Sequence, residues 1–227
     1  CKFKLKILLI IFCFSSAEYV RGQVPILESG NIEYEMRVNK YLFVERGMKQ
    51  FRLVEQELDK YKASQEQFFS LKSNLRFTGD KSLYSPVPDN TYNTANIWNG
   101  KPIAKQLNIV FSDFDTKKTV QERSVDGRKF LVKDSLRAIK WKITDQTREI
   151  AGFQCKRANG VYLDSVYVVA FYTNEIPVEG GPESFHGLPG MILGLALPYE
   201  GVTWFATRVD PLPAISLNAP NQGTVLT

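Results

Sequence analysis

A chain of 227 residues with 44% apolar and 12% aromatic content is composed as a globular protein, which excludes a disordered one. Its formal charge of +5 overstates its basicity: residues 1–22 hold Lys2, Lys4, Lys6 and Arg21 against Glu18, a net +3, which leaves +2 for the rest. So small an excess argues against a nucleic-acid partner, and once Cys1 and Cys13 leave with the N-terminal segment, the one remaining cysteine (Cys155) and one histidine (His186) exclude a multi-ligand Cys/His metal cluster.

The N-terminus has the layout of a secretory signal peptide. Lys2-Phe3-Lys4-Leu5-Lys6 is basic, Ile7 to Phe14 is apolar but too short to span a bilayer, and Ser15-Ser16-Ala17 follow. Cleavage after Ala17 or Gly22 meets the small-residue requirement, and Gly22 is taken as the boundary. Phe12 stands before Cys13 where a lipobox needs a small residue, so no lipid anchor is expected. Removal of this segment leaves Cys155 without a disulfide partner and the chain without a membrane span. The expectation is a periplasmic or secreted protein with a signal peptide over 1–22, one β domain over 23–210 and a loose tail over 211–227.

Ile32 to Asn39 alternates apolar and polar residues, which predicts a strand with one wet face. Phe51, Val54, Leu58 and Tyr61 then fall at helical spacing, predicting one amphipathic helix between Met48 and Gln65. Residues 66–84 read as extended, with a turn at Thr78-Gly79-Asp80. Residues 85–102 are rich in Pro, Asn, Thr and Gly and predict a loop carrying Tyr92 and Trp98. From Leu107 the pattern is almost continuously β. Asp126-Gly127 gives the strongest hairpin signal, Asn159-Gly160 gives a second, and Ile139 to Ile143 alternates strictly. Short strands joined by tight turns, with one helix, predict a mainly β fold: a strongly curved antiparallel meander sheet shaped as a half-barrel or bowl.

The segment Phe185-His186-Gly187-Leu188-Pro189-Gly190 runs into Met191-Ile192-Leu193-Gly194-Leu195. Pro189-Gly190 suits the central positions of a type II turn. The run behind it is apolar at every position, as in a strand buried on both faces. Gly194 is expected where a neighbour approaches closely.

Several motifs together resemble the GLPGLI family, a group of secreted proteins largely from Bacteroidetes. They are Trp141-x-Ile143, Ile150-x-Gly152-Phe153-x-Cys155-x-x-Ala158, Phe171-Tyr172-Thr173-x-Glu175-Ile176-Pro177, Gly181-Pro182 and Gly187 to Leu195, with Met191 replacing the usual leucine. The resemblance covers about residues 139–197. It implies a signal peptide, export and a mostly β domain, but no particular activity. A similar module forms the bowl-shaped N-terminal domain of a bacterial peptide-N-glycosidase, which implies a glycan or glycoprotein partner.

Two kinds of chemistry fit these residues. A non-catalytic binding or accessory module would use aromatic and rim residues of the concave face, Trp141, Tyr167, Phe171, His186 and Trp204, for an envelope glycan, peptide or lipid-like ligand. Gly187, Leu188, Pro189, Gly190 and Gly194 are then structural, and no cofactor or metal is expected. The alternative is a hydrolase using acidic residues and His186 near this loop, either a carboxylate pair of Glu175 with Glu179 or Glu183, or a Cys155–His186 pair. Against the thiol, Cys155 falls mid-strand among apolar neighbours, where cysteine behaves as a small hydrophobe.

Overall fold

The computed structural model describes residues 26–51, 55–87, 108–125 and 127–226. The predicted signal segment, and Tyr92 and Trp98 in the predicted loop, lie outside them. The elements in chain order are β1 (Ser29–Asn39), α1 (Lys40–Phe51), α2 (Glu55–Ser64), β2 (Phe68–Thr78), β3 (Lys81–Pro86), β4 (Ile109–Asp113), β5 (Lys118–Val125) and β6 (Arg128–Ser135). They continue with β7 (Lys140–Ile150), β8 (Phe153–Tyr162), β9 (Val166–Thr173), β10 (Met191–Leu197), β11 (Val202–Pro211) and β12 (Thr224–Leu226). The described strands form one twelve-stranded sheet in the order β12-β6-β5-β4-β3-β2-β1-β11-β10-β9-β8-β7.

Two meanders, β1 to β6 and β7 to β11, are thus joined along the antiparallel pair β1–β11. The alternation of β1 explains its central place. Ile32, Tyr34, Met36 and Val38 are buried on one face, while Glu33 on the other meets Arg208 at 2.6 Å.

The connection from β6 to β7 shows how strongly the sheet curves. These strands stand ten strand-to-strand steps apart, which at about 4.8 Å per step would be about 48 Å if the sheet were flat. Only residues 136–139 join them, and five Cα–Cα steps reach at most about 18 Å. The sheet therefore rolls until its two meanders face each other across a concave interior. This is the predicted curved, mainly β architecture.

Three details differ from the sequence reading. Two short helices, Lys40–Phe51 and Glu55–Ser64, replace the single helix predicted over 48–65. The side-chain oxygen of Asn39 accepts from the Leu42 N–H at 3.2 Å and caps α1, so the helical segment begins well before Met48. Beyond residue 210 the chain is anchored: Leu217 is buried, and Thr224–Leu226 adds β12 parallel to β6, so the sheet is mixed rather than purely antiparallel.

Asn159-Gly160 is not a turn but lies inside β8. A Cβ on Gly160 would stand 2.7 Å from the Trp141 ring, so the glycine makes room for the indole on the neighbouring strand. The hairpin turns instead at Leu163-Asp164, both with positive φ (49° and 59°). That pair of angles belongs to the tight turns whose twist matches flanking strands.

Strand β10 is buried on both faces. Met191 to Leu195 have essentially no exposure. Leu195 pairs with Trp204 on the inner face. On the other face, a Cβ at Gly194 would meet both Ile150 and Phe205 at 2.8 Å. The Arg148 guanidinium covers the Phe205 ring at 4.9 Å, so the end of β7 lies over the outside of this strand.

Candidate functional site

Residues 174–190, between β9 and β10, do not loop into solvent. Ile176, Val178, Phe185 and Leu188 are all buried, so this segment fills part of the bowl as a plug. Its backbone is pinned to β10: the N–H groups of Met191 and Ile192 donate to the carbonyls of Ile176 and Gly180 at 3.0 and 2.9 Å. Pro189-Gly190 is not the predicted type II turn. The Gly190 N–H donates to the Leu188 carbonyl at 2.7 Å, a three-residue γ-turn centred on Pro189. Gly190 has φ +151°, and a Cβ there would stand 2.1 Å from the Thr173 carbonyl oxygen. Close approach of strand β9 therefore tightens the turn and requires glycine.

Between the plug and the facing walls of the bowl lies a cavity of about 290 Å³. Tyr162, Phe185, Leu197 and Trp204 give it an apolar wall, and Asn108, Gln121, Arg123 and Glu183 a polar one. The rings of Tyr162 and Phe185 are 5.2 Å apart and those of Phe185 and Trp204 6.4 Å, both tilted. An adjoining hollow of about 250 Å³ shares Gln121, Arg123, Tyr162, Leu163 and Ser184, and adds Arg137 and His186. The β10–β11 turn supplies Glu200 at the rim. There Arg46 of α1 stacks over Tyr199 at 3.8 Å and approaches Glu200 at 4.0 Å, fixing the turn against the helix.

Glu183 is the chemically unusual group here. Its backbone is held at φ +55°, a sparsely populated conformation for a non-glycine residue. It is half-buried and lines the cavity. Burial pushes its carboxyl up to about 7, against the opposing pull of the Asn108 amide and the Arg123 charge. The Asn108 Nδ2 donates to it across 3.4 Å, a long contact. Arg123 is itself oriented along β5, its Nε and Nη2 donating to Gln121 Oε1 at 3.1 and 2.6 Å.

The Tyr84 phenol is raised by burial and by the Glu183 charge, with Ser73 and the Trp204 indole N–H close enough to oppose the shift. Neither Ser73 Oγ nor Trp204 Nε1 completes a hydrogen bond of good geometry. The Trp204 ring lines the cavity, but its Nε1 is fully enclosed, toward Tyr84.

The five residues predicted to bind ligand do not converge. Trp204 lines the larger cavity and His186 the adjoining one. Trp141 stands beside them, its Nε1 donating to the His186 carbonyl at 3.0 Å. Burial lowers the His186 imidazole below its usual range. Tyr167 and Phe171 occupy the opposite face of β9 from cavity-lining Val166: Tyr167 donates to Asn159 Oδ1 at 3.1 Å, and Phe171 lies 5.8 Å from the Arg148 guanidinium. Gly187 (φ +91°) opens the final turn of the plug beside Trp141, with Leu188 buried behind it.

Of the hydrolase candidates, Cys155 is fully buried, and burial, followed by the nearby Glu175 charge, pushes its thiol up to about 12. It is therefore a protonated core residue. Glu179 is exposed and paired with Lys117 at 3.6 Å. Among the described residues, no three of His, Cys, Asp and Glu gather as a metal site, and no helix is long and apolar enough to cross a membrane.

The polar half of the cavity was missed by the sequence reading, Glu183 having entered it only as a hydrolase candidate. Thr119, Gln121 and Arg123 recur at period two along β5 and all point inward. Polar residues on the inner phase of a strand were the available signal.

Together these features define a rolled-sheet protein with a plugged concave face and a small amphipathic cavity. Residues 160–194, running from β8 through the plug to Gly194, match a family model described as a protein of unknown function, Porph_ging. No curated protein gives a significant match. Solved structures of PNGF-II in the C2 and P21 space groups are similar in fold, with TM-scores of 0.53 and 0.52 and 15% identity over 83% of this chain. The chain spans under a third of PNGF-II, 28% and 29% of its length in the two structures.

Proposed function

We propose that this protein is an exported, non-catalytic binding or accessory module of the cell envelope, of the GLPGLI type, holding a small ligand between the plug and the rolled sheet. The observation that carries this reading is the cavity of about 290 Å³ with one aromatic and one polar wall, at the small end of the range for ligand sites. Export rests on the basic and apolar pattern of residues 2–17. Assignment to the GLPGLI type rests on the motifs from Trp141 to Leu195, and the Porph_ging match over 160–194 falls in the same region. The distant likeness to PNGF-II is compatible with a module that works beside a larger partner.

The test is native mass spectrometry of the protein purified gently from its own envelope fraction. A bound mass that is present in the wild type and absent from Ser184→Phe, a substitution that fills the shared part of the two hollows, supports the reading. Equal retention by both proteins places the ligand elsewhere and overturns it.

A hydrolase remains the second reading, and Glu183 favours it over the other acidic residues, because a carboxyl near 7 in a cavity is poised to donate a proton. Turnover of a glycoside or peptide panel that disappears in Glu183→Gln would establish it.

A further inference from the structure

We propose that the cavity takes an uncharged, hydroxyl-bearing ring ligand of the sugar class, and that the Glu183 carboxyl, which lines the cavity, holds it by donating a hydrogen bond. The inference rests on the binding reading above and names its ligand class. Phe185 and Trp204, nearly buried, and Tyr162, half-buried, give the cavity an apolar wall against which the C–H face of a pyranose can lie. Opposite it stand the amides of Asn108 and Gln121 and the Glu183 carboxyl, flat groups with paired donor and acceptor atoms that match neighbouring hydroxyls.

Charge narrows the class. Arg123 is the single cation among the described residues lining this cavity, and Gln121 already engages it. The Glu200 carboxylate at the rim opposes an anion. A cation would require Glu183 to ionise where its burial resists this. A long acyl chain would have to lie against the polar wall. An uncharged polyol meets none of these objections.

The groups facing Glu183 are Asn108 before β4, Arg123 of β5, Tyr84 of β3 and Glu200 at the rim, with His186 in the adjoining hollow. Tyr84 stays protonated throughout the range below. If only neutral Glu183 binds, apparent affinity falls with its protonated fraction. With the carboxyl near 7, about a tenth is neutral at pH 8, so the expected loss from pH 5.5 is about tenfold.

The experiment is calorimetric titration of the whole chain with the methyl glycosides of glucose, mannose, galactose and N-acetylglucosamine at pH 5.5 and pH 8. Binding of at least one glycoside at pH 5.5, weakened about tenfold at pH 8, supports the proposal if Glu183→Gln still binds and loses the pH dependence. A pH-independent affinity in the wild type overturns the role of neutral Glu183. Failure of every glycoside at both pH values, or binding only of a dipeptide or lysophospholipid probe, overturns the ligand class. Neither result touches the broader reading, which fails separately if Ser184→Phe retains the native ligand.

Discussion

Replacing Glu183 with Gln tests the cavity's electrostatics without any ligand. The substitution keeps the shape and an oxygen to accept from Asn108, and it removes the ionisable proton. In the wild type the folded protein holds this proton up to about pH 7, whereas an ordinary glutamate releases it near 4.5. Between those values the native state binds more protons than the unfolded state, so stability falls as pH rises through this window and levels off above it. At about 1.4 kcal/mol per tenfold change in acidity, the loss is at most about 3.5 kcal/mol. The side chain opens onto the cavity, so water reaching it brings the expected figure down to about 1–2 kcal/mol. For a chain of this size that is about 2–8 °C in Tm. Urea unfolding of both proteins at pH 5 and pH 8 reads the effect directly: wild type should lose about 1–2 kcal/mol more than Glu183→Gln on going to pH 8. Parallel pH dependence in the two proteins would refute the account of a desolvated carboxyl.

Three further outcomes are expected. Gly190→Ala places a methyl 2.1 Å from the Thr173 carbonyl, so it should prevent normal folding, while Gly187→Ala, whose methyl would make only an ordinary contact with Trp141 Nε1 at 3.8 Å and sit at φ +91°, should cost only about 1–3 kcal/mol of backbone strain; soluble yield and thermal melting separate them. Trp141→Phe removes the donor to the His186 carbonyl and should cost about 1 kcal/mol in urea unfolding, with faster amide exchange confined to the plug around Gly187. Cys155, fully buried and with its thiol pushed up to about 12, should resist iodoacetamide in native protein at pH 8 and alkylate promptly once unfolded; rapid native labelling would contradict its placement.

How much of this was legible in the sequence depended on how local each cause is. The alternation of β1, the glycine at Thr78-Gly79-Asp80 and the doubly apolar β10 are written in neighbouring residues, and they stand where they were read. The pairing of β1 with β11 joins residues more than 160 positions apart, and no local pattern encodes it. Gly160 was read as a turn because a glycine needed for conformation and one needed for close packing look alike in sequence; only the neighbouring Trp141 separates them. Leu163 makes the opposite case. It sits in the actual turn at positive φ, where a leucine gives no signal.

The site was legible in part for a related reason. Aromatic residues on a strand announce that they belong to a surface, and the phase of the alternation decides which surface. A one-residue change of phase exchanges the two faces. Trp204 and Val166 point into the bowl and Tyr167 and Phe171 out of it, a distinction fixed by register against β10. The polar half of the cavity was hidden for another reason. Gln121 and Arg123 come from the first meander and Glu183 from the plug within the second, and rolling of the sheet brings them together. Because the short connection 136–139 forces the β6 and β7 ends of the two meanders to converge, the cavity is a consequence of topology before it is a consequence of side chains. The plug occupies part of the space so created and leaves a cavity beside the one carboxyl that it holds in a strained backbone conformation. Strain and a neutralised acid at the edge of an otherwise filled bowl are costs that packing alone does not require, which is why Glu183, more than the conspicuous Gly187–Leu195 motif, marks where function should be sought.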